Sequence, residues 1–146
     1  MVGLNYDTVE AYITALEQSF VIFRLMPYSG NLRNSIRKSR KVYFWDTGIR
    51  NALINNFNPL NTRTDAGALF ENFFISEMLK NKINQGQRIN SYFWRSLENK
   101  EIDLIIETGQ TREYFECKLN SPSSKREIEG ISAEIVTLDN YVDKLK

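Results

Sequence analysis

Three charged residues break into otherwise apolar, strand-like runs of this 146-residue chain. Asp103 interrupts Ile102-Asp103-Leu104-Ile105-Ile106, and Glu116 and Lys118 stand in Tyr114-Phe115-Glu116-Cys117-Lys118-Leu119. Side chains alternate faces along a strand, so Glu116 and Lys118 share one face while Phe115, Cys117 and Leu119 share the other. Unpaired buried charge is costly, so Asp103, Glu116 and Lys118 are expected to converge and satisfy one another or hold a ligand. Two carboxylates suffice for a Mg²⁺ ion whose remaining positions go to water and phosphate. Asp103 and Glu116 are therefore the candidate metal ligands. Lys118 is the candidate for orienting the attacking water and offsetting developing charge. Each motif alone also has a plain reading: Glu-x-Lys pairs are common on exposed sheet surfaces, and an Asp often starts a strand as a turn residue.

The elements that must position these groups follow from periodicity and punctuation. A helix is expected over 8–18, with Asp7 as its cap and Glu10 in capping-box register. Val9, Tyr12, Ile13 and Leu16 would form its apolar inner face, leaving Glu10, Thr14 and Glu17 outward. Phe20–Met26 and Lys41–Trp45 read as two strands of a hairpin. A helical turn follows at 49–54, with Asp46 capping the turn before it, then a loop to residue 63. The strongest helix runs from Asp65 to Lys82, rich in Leu and Phe, with Glu71 set among its apolar residues. Glu71 is the fourth candidate site residue. Strands at 91–95, 101–107 and 112–119 form a tight antiparallel meander. A helical turn at 125–130, a strand at 133–138 and a short terminal helix complete the reading.

Absences narrow the chemistry. The chain contains no histidine, which removes the usual zinc ligands and every histidine-dependent triad. It has no phosphate-binding P-loop, so it is not by itself a P-loop ATPase. One cysteine, Cys117, precludes an internal disulfide and suits a cytoplasmic setting, where it reads as a small buried apolar residue. No apolar run approaches the length of a membrane span. Net charge is only +1, yet from Arg24 to Arg50 seven basic residues face one acid, Asp46, a bias that would attract phosphate locally. The aromatics Tyr43, Phe44, Trp45, Tyr92, Phe93 and Trp94 read as core residues.

The order helix–Glu71, strand, strand–Asp103, then a thirteen-residue step to Glu116 and Lys118, resembles the PD-(D/E)xK nuclease core, the restriction-endonuclease-like fold. A wider resemblance covers nearly the whole chain. Thr8–Glu17, Phe20–Leu25, Lys41–Arg50, Gly67–Glu77, Tyr92–Arg95 and Glu101–Asp103 are similar to the C-terminal region of a family of bacterial and archaeal AAA-type ATPases. That region is a domain of unknown function with a nuclease-like core. The resemblance implies an α/β fold in αβββαβ order, with a partial winged helix over 1–45 and the nuclease-like domain over 46–146. It implies Glu71, Asp103, Glu116 and Lys118 as catalytic residues, with Asp103 and Glu116 on Mg²⁺. DNA and an ATPase domain absent from this chain are the implied partners; where the family continues with a longer helix, Asn120–Ser132 is short and polar, so a partner or a second copy in a homodimer is expected on the sheet face it leaves open. The absent ATPase domain suggests an excised fragment or a truncated gene. Two functions are therefore expected: Mg²⁺-dependent hydrolysis of DNA, or a non-catalytic DNA-binding, regulatory or oligomerisation module.

Overall fold

The apolar helix found in the sequence is the spine of the molecule. The computed structural model describes residues 3, 5–29, 40–120 and 125–146. Its elements are α1 (Tyr6–Gln18), β1 (Ile22–Pro27), β2 (Lys41–Phe44), α2 (Thr47–Leu53), α3 (Ala66–Asn84), β3 (Asn90–Arg95), β4 (Glu101–Thr108), β5 (Thr111–Cys117), β6 (Lys125–Ile128), β7 (Ile131–Val136) and α4 (Tyr141–Lys144). The strands form one mixed seven-stranded sheet in the order β2-β1-β3-β4-β5-β7-β6. β1 runs parallel to β3 and β5 parallel to β7, while the other neighbours are antiparallel. Segments 1–45 and 46–146 thus share one sheet, joined where Met26 and Pro27 pair with Tyr92 and Phe93. Of the basic stretch, Arg33, Arg37 and Lys38 lie outside the described residues.

α3 packs Phe70, Phe74, Ile75, Met78 and Leu79 against Phe23, Leu25, Phe93, Leu104, Ile106, Phe115 and Val136 on one sheet face. Phe74 and Ile75 are wholly buried, and each such side chain contributes about 1.5–3 kcal/mol relative to exposure. The other face carries a second cluster of Tyr28, Trp94, Ile102, Ile105, Ile128 and Ala133. Aromatic residues of the sequence reading go inside: Tyr43, Phe93 and Trp94 are all buried.

Two local features decide which way the site residues point. Tyr92 pairs with Ile105 but Trp94 pairs with Ile102, so three steps of β4 face two of β3. That extra residue is a bulge, which sends Ile102 and Ile105 to one face and Leu104 and Ile106 to the other. The second feature corrects the sequence reading. Residues 125–128, expected in a helical turn, are strand β6, paired with β7 from Lys125↔Glu134 to Ile128↔Ile131. Glu129 and Gly130 connect them with φ of 52° and 79°, the left-handed pair of a tight hairpin turn. A fourth consecutive strand therefore replaces the helix of the αβββαβ order.

The first helix is also differently arranged. Asn5, not Asp7, is its cap, accepting from the Thr8 N–H at 2.8 Å. Glu10 and Glu17, expected outward, turn inward onto Arg24 of β1 at 2.7 and 2.6 Å. Val9, Tyr12 and Leu16 are consequently exposed. Asp46 does cap α2 as expected, accepting from the Gly48 N–H. Asp65 stands at the head of α3 but makes no cap bond there, because Arg50 and Arg63 hold its carboxylate.

Candidate functional site

The candidate residues divide into two clusters on opposite faces of the sheet. The first lies on the α3 side. At the start of β2, Lys41 and Tyr43 alternate onto the face that meets α3. Glu101 and Asp103 project from β4, and Glu71 from the second turn of α3. The Lys41 ammonium lies 3.0 Å from Glu71 Oε1, 2.5 Å from Glu101 Oε1 and 3.0 Å from Asp103 Oδ1. Tyr43 donates its hydroxyl to Glu71 Oε1, and the Cys117 N–H donates to Asp103 Oδ2 at 2.9 Å. Asp103 is buried, so both its oxygens are held inside protein.

The second cluster surrounds Glu116. Phe115 and Cys117 pack with the α3-side core, which turns Glu116 to the other face beside Tyr114. Glu116 is 2% exposed. Its Oε1 accepts from Lys118 at 2.9 Å and Arg126 at 2.8 Å, while Oε2 is buried without a partner among the described residues. Lys118 lies just past β5, its N–H donated to the Val136 carbonyl. The structure therefore brings Glu71 to Asp103 and Glu116 to Lys118. It does not bring Asp103 and Glu116 onto one face, and the single convergent cluster expected of Asp103, Glu116 and Lys118 is corrected to two.

Charge acts within each cluster and also between them, since Asp103 contributes to raising Lys118. Burial, then the neighbouring Asp103, raises the Glu71 carboxyl above its usual range, with Lys41 and Tyr43 pulling the other way. Lys41 is raised: burial alone would lower it, but the carboxylates of Asp103, Glu71 and Glu101 outweigh that cost. Burial beside the same acids raises Tyr43 and Cys117, so both stay protonated. Lys118 is raised by its hydrogen bond to Glu116. The cluster is a cage of carboxylates whose cation is a lysine of the chain itself.

The Mg²⁺ implied by the resemblance does not fit this arrangement. Asp103 and Glu116 face apart, and both Asp103 oxygens are already engaged by Lys41 and Cys117. Among the described residues, no three acidic, cysteine or histidine side chains are grouped to hold a metal ion. Sequence reasoning missed Lys41, Glu101, Tyr43 and Arg126. The i,i+2 pairs Lys41/Tyr43 and Glu101/Asp103 carried a readable alternation signal; Arg126 carried none once its segment was taken as helical.

No helix among the described residues is long and apolar enough to cross a membrane. The model of the family described as Domain of unknown function DUF4143 matches residues 66–142, which include Glu71, Asp103, Glu116 and Lys118. Residues 1–60 match a second family, Domain of unknown function DUF8612. Uncharacterized proteins of Mycobacterium bovis and Mycobacterium tuberculosis are each 28% identical over 131 residues, covering 88% of this chain. The matched region is only 29% of the length of those relatives. No solved structure matches the chain. Since the first match extends over more than half of its residues, the chain belongs to the family described as Domain of unknown function DUF4143.

Proposed function

We propose that this domain is a non-catalytic regulatory module built on a nuclease-like core, in which Lys41 supplies the cation that the acid cluster requires. The observation that carries the reading is the Lys41 ammonium bound to Glu71, Glu101 and Asp103 together. An ammonium so placed occupies the point on which the three acids converge and offsets part of the charge that would otherwise attract a divalent ion. The described part of the basic stretch argues in the same direction. Arg24, Arg40, Lys41 and Arg50 are all committed to acids of the chain, whereas DNA affinity comes from cations free to meet phosphate. Regulation is therefore favoured over DNA binding. The sequence resemblance to the C-terminal region of AAA-type ATPases supports an ATPase domain as the element regulated, and relatives over three times the matched length leave room for one.

Calorimetric titration of the wild type with Mg²⁺ and Mn²⁺, alongside incubation with supercoiled plasmid, tests the reading. No saturable metal binding and no nicking are expected. Metal-dependent nicking by wild type, lost in Asp103→Asn, would overturn it.

One observation favours the hydrolytic reading: Glu116 Oε2 is buried and has no partner among the described residues, as a ligand position awaiting a cation would be. Nicking abolished by Glu116→Gln as well as Asp103→Asn would establish it.

A further inference from the structure

Helix α1 is amphipathic in the reverse of the usual sense. Two of its acids, Glu10 and Glu17, are turned to the protein and its apolar stripe to solvent. Glu10 and Glu17 are spent on Arg24, and Glu10 also on Arg40, so they anchor the helix by its polar side. No residue of α1 is buried. Val9, Tyr12 and Leu16, spaced i, i+3, i+7, line the outer surface at 38%, 63% and 42% exposure. A 13-residue helix is marginal by itself, and an uncovered stripe adds nothing to hold it.

The end of the helix carries a second, independent observation. The Phe20 N–H donates to the Glu17 carbonyl and the Val21 N–H to the Leu16 carbonyl, the paired bonds of a Schellman cap. Its left-handed position, nearly always glycine, is filled by Phe20 at φ 55°, with the ring 77% exposed. A bulky side chain in that conformation is strained, and burial within this chain does not compensate it. The ring stands beside a groove of about 310 Å³ formed by Phe20 itself, Trp45, Lys80, Ile83 and Asn84.

We propose that this surface binds a second copy of the chain, α1 against α1 about a two-fold axis, with each Phe20 entering the other copy's groove. Self-association requires a patch that is its own complement, and a protruding ring adjoining a recess on the same patch provides that. The stripe itself carries no charge, so two copies meet without repulsion. Its area reaches the lower bound for a small interface. Tyr6, Val9, Tyr12, Leu16 and Phe20 expose about 500 Å² per copy, so a contact that covers them fully buries about 1,000 Å² in a pair, the lower bound for a specific interface.

Sedimentation equilibrium of the intact chain from micromolar to millimolar concentration tests this, with Phe20→Gly and Leu16→Glu as variants. Wild type is expected to dimerise across the range, and each variant to raise the dissociation constant at least tenfold. At a dilution where all are monomeric, Phe20→Gly should melt no earlier than wild type, because glycine relieves the left-handed strain. Leu16→Glu sits at an exposed position and should keep its circular dichroism. A wild type that stays monomeric at the highest concentration overturns the proposal. So do variants that dissociate like wild type.

Discussion

Lys41 and Asp103 are 62 residues apart in the chain, yet Nζ and Oδ1 stand 3.0 Å apart. In the sheet, β1 and β3 lie between their strands, so the contact ties the edge hairpin to the centre of the fold. Removing the ammonium strands Glu71, Glu101 and Asp103 together. Lys41→Met should cost about 2–4 kcal/mol, somewhat below the full penalty for a buried pair because the lysine retains some exposure.

The loss should depend on pH with a definite sign. Lys41 is raised from 10.5, so its contribution is complete below that value and disappears as pH rises through the higher folded-state value. In the variant, Glu71 also loses the lysine that holds it down, and its folded-state pKa moves further above 4.5. The folded variant then binds a proton more tightly than the unfolded chain, so its stability falls as pH rises past 4.5. Urea denaturation at pH 5 and pH 8 should show the larger deficit at pH 8; equal deficits would refute the cage.

Much of this architecture was legible in the sequence because it rests on local patterns. The Phe-rich repeat from Leu69 to Leu79 specified α3, and the alternation around Asp103 and Glu116 specified β4 and β5. What was not legible depended on geometry without a local signature. The bulge beside Asp103 is set by register against β3, and no residue type announces it. Which face Glu116 joined depended on the neighbouring strands, since a single-step register difference reverses every side chain. The outward stripe of α1 was missed because apolar periodicity was read as an inner face, whereas the charges on Arg24 decided the orientation.

The turn between β6 and β7 offers a direct check on the strand found at 125–128. Gly130 has φ 79° and open space where a Cβ would stand, so Gly130→Ala acts through backbone strain alone. The expected cost is about 1–2 kcal/mol. Were the segment helical, alanine would stabilise it instead, so the direction of the change in urea midpoint decides between the two.

Glu116 gives a prediction opposite to that for Lys41. Its partners Lys118 and Arg126 are 45% and 50% exposed and return readily to water when the carboxylate is removed. Its Oε2, by contrast, is buried and accepts no hydrogen bond among the described residues. Glu116→Met, similar in volume, should leave stability within about 1 kcal/mol of wild type or raise it. A loss well beyond that in guanidinium denaturation would mean the carboxylate is satisfied by a group that the ion pairs do not include.

Asn72 holds α3 to the end of the hairpin strand that carries Lys41. Its side-chain oxygen accepts from the Phe44 N–H at 3.0 Å, and its amide donates to the Phe44 carbonyl at 2.7 Å. The residue is buried, so removing it leaves two backbone groups without water to replace the bonds. Asn72→Ala should cost about 2–4 kcal/mol. Asn72→Asp keeps the acceptor but sets an oxygen against the Phe44 carbonyl, and should be no better than alanine at neutral pH. Because β2 is an edge strand fixed from α3 by this bond and by Lys41, hydrogen exchange at Tyr43 and Phe44 should accelerate in Asn72→Ala more than at Leu104 or Phe115. Uniform acceleration across both strand pairs would show that Asn72 supports the whole fold rather than anchoring the hairpin.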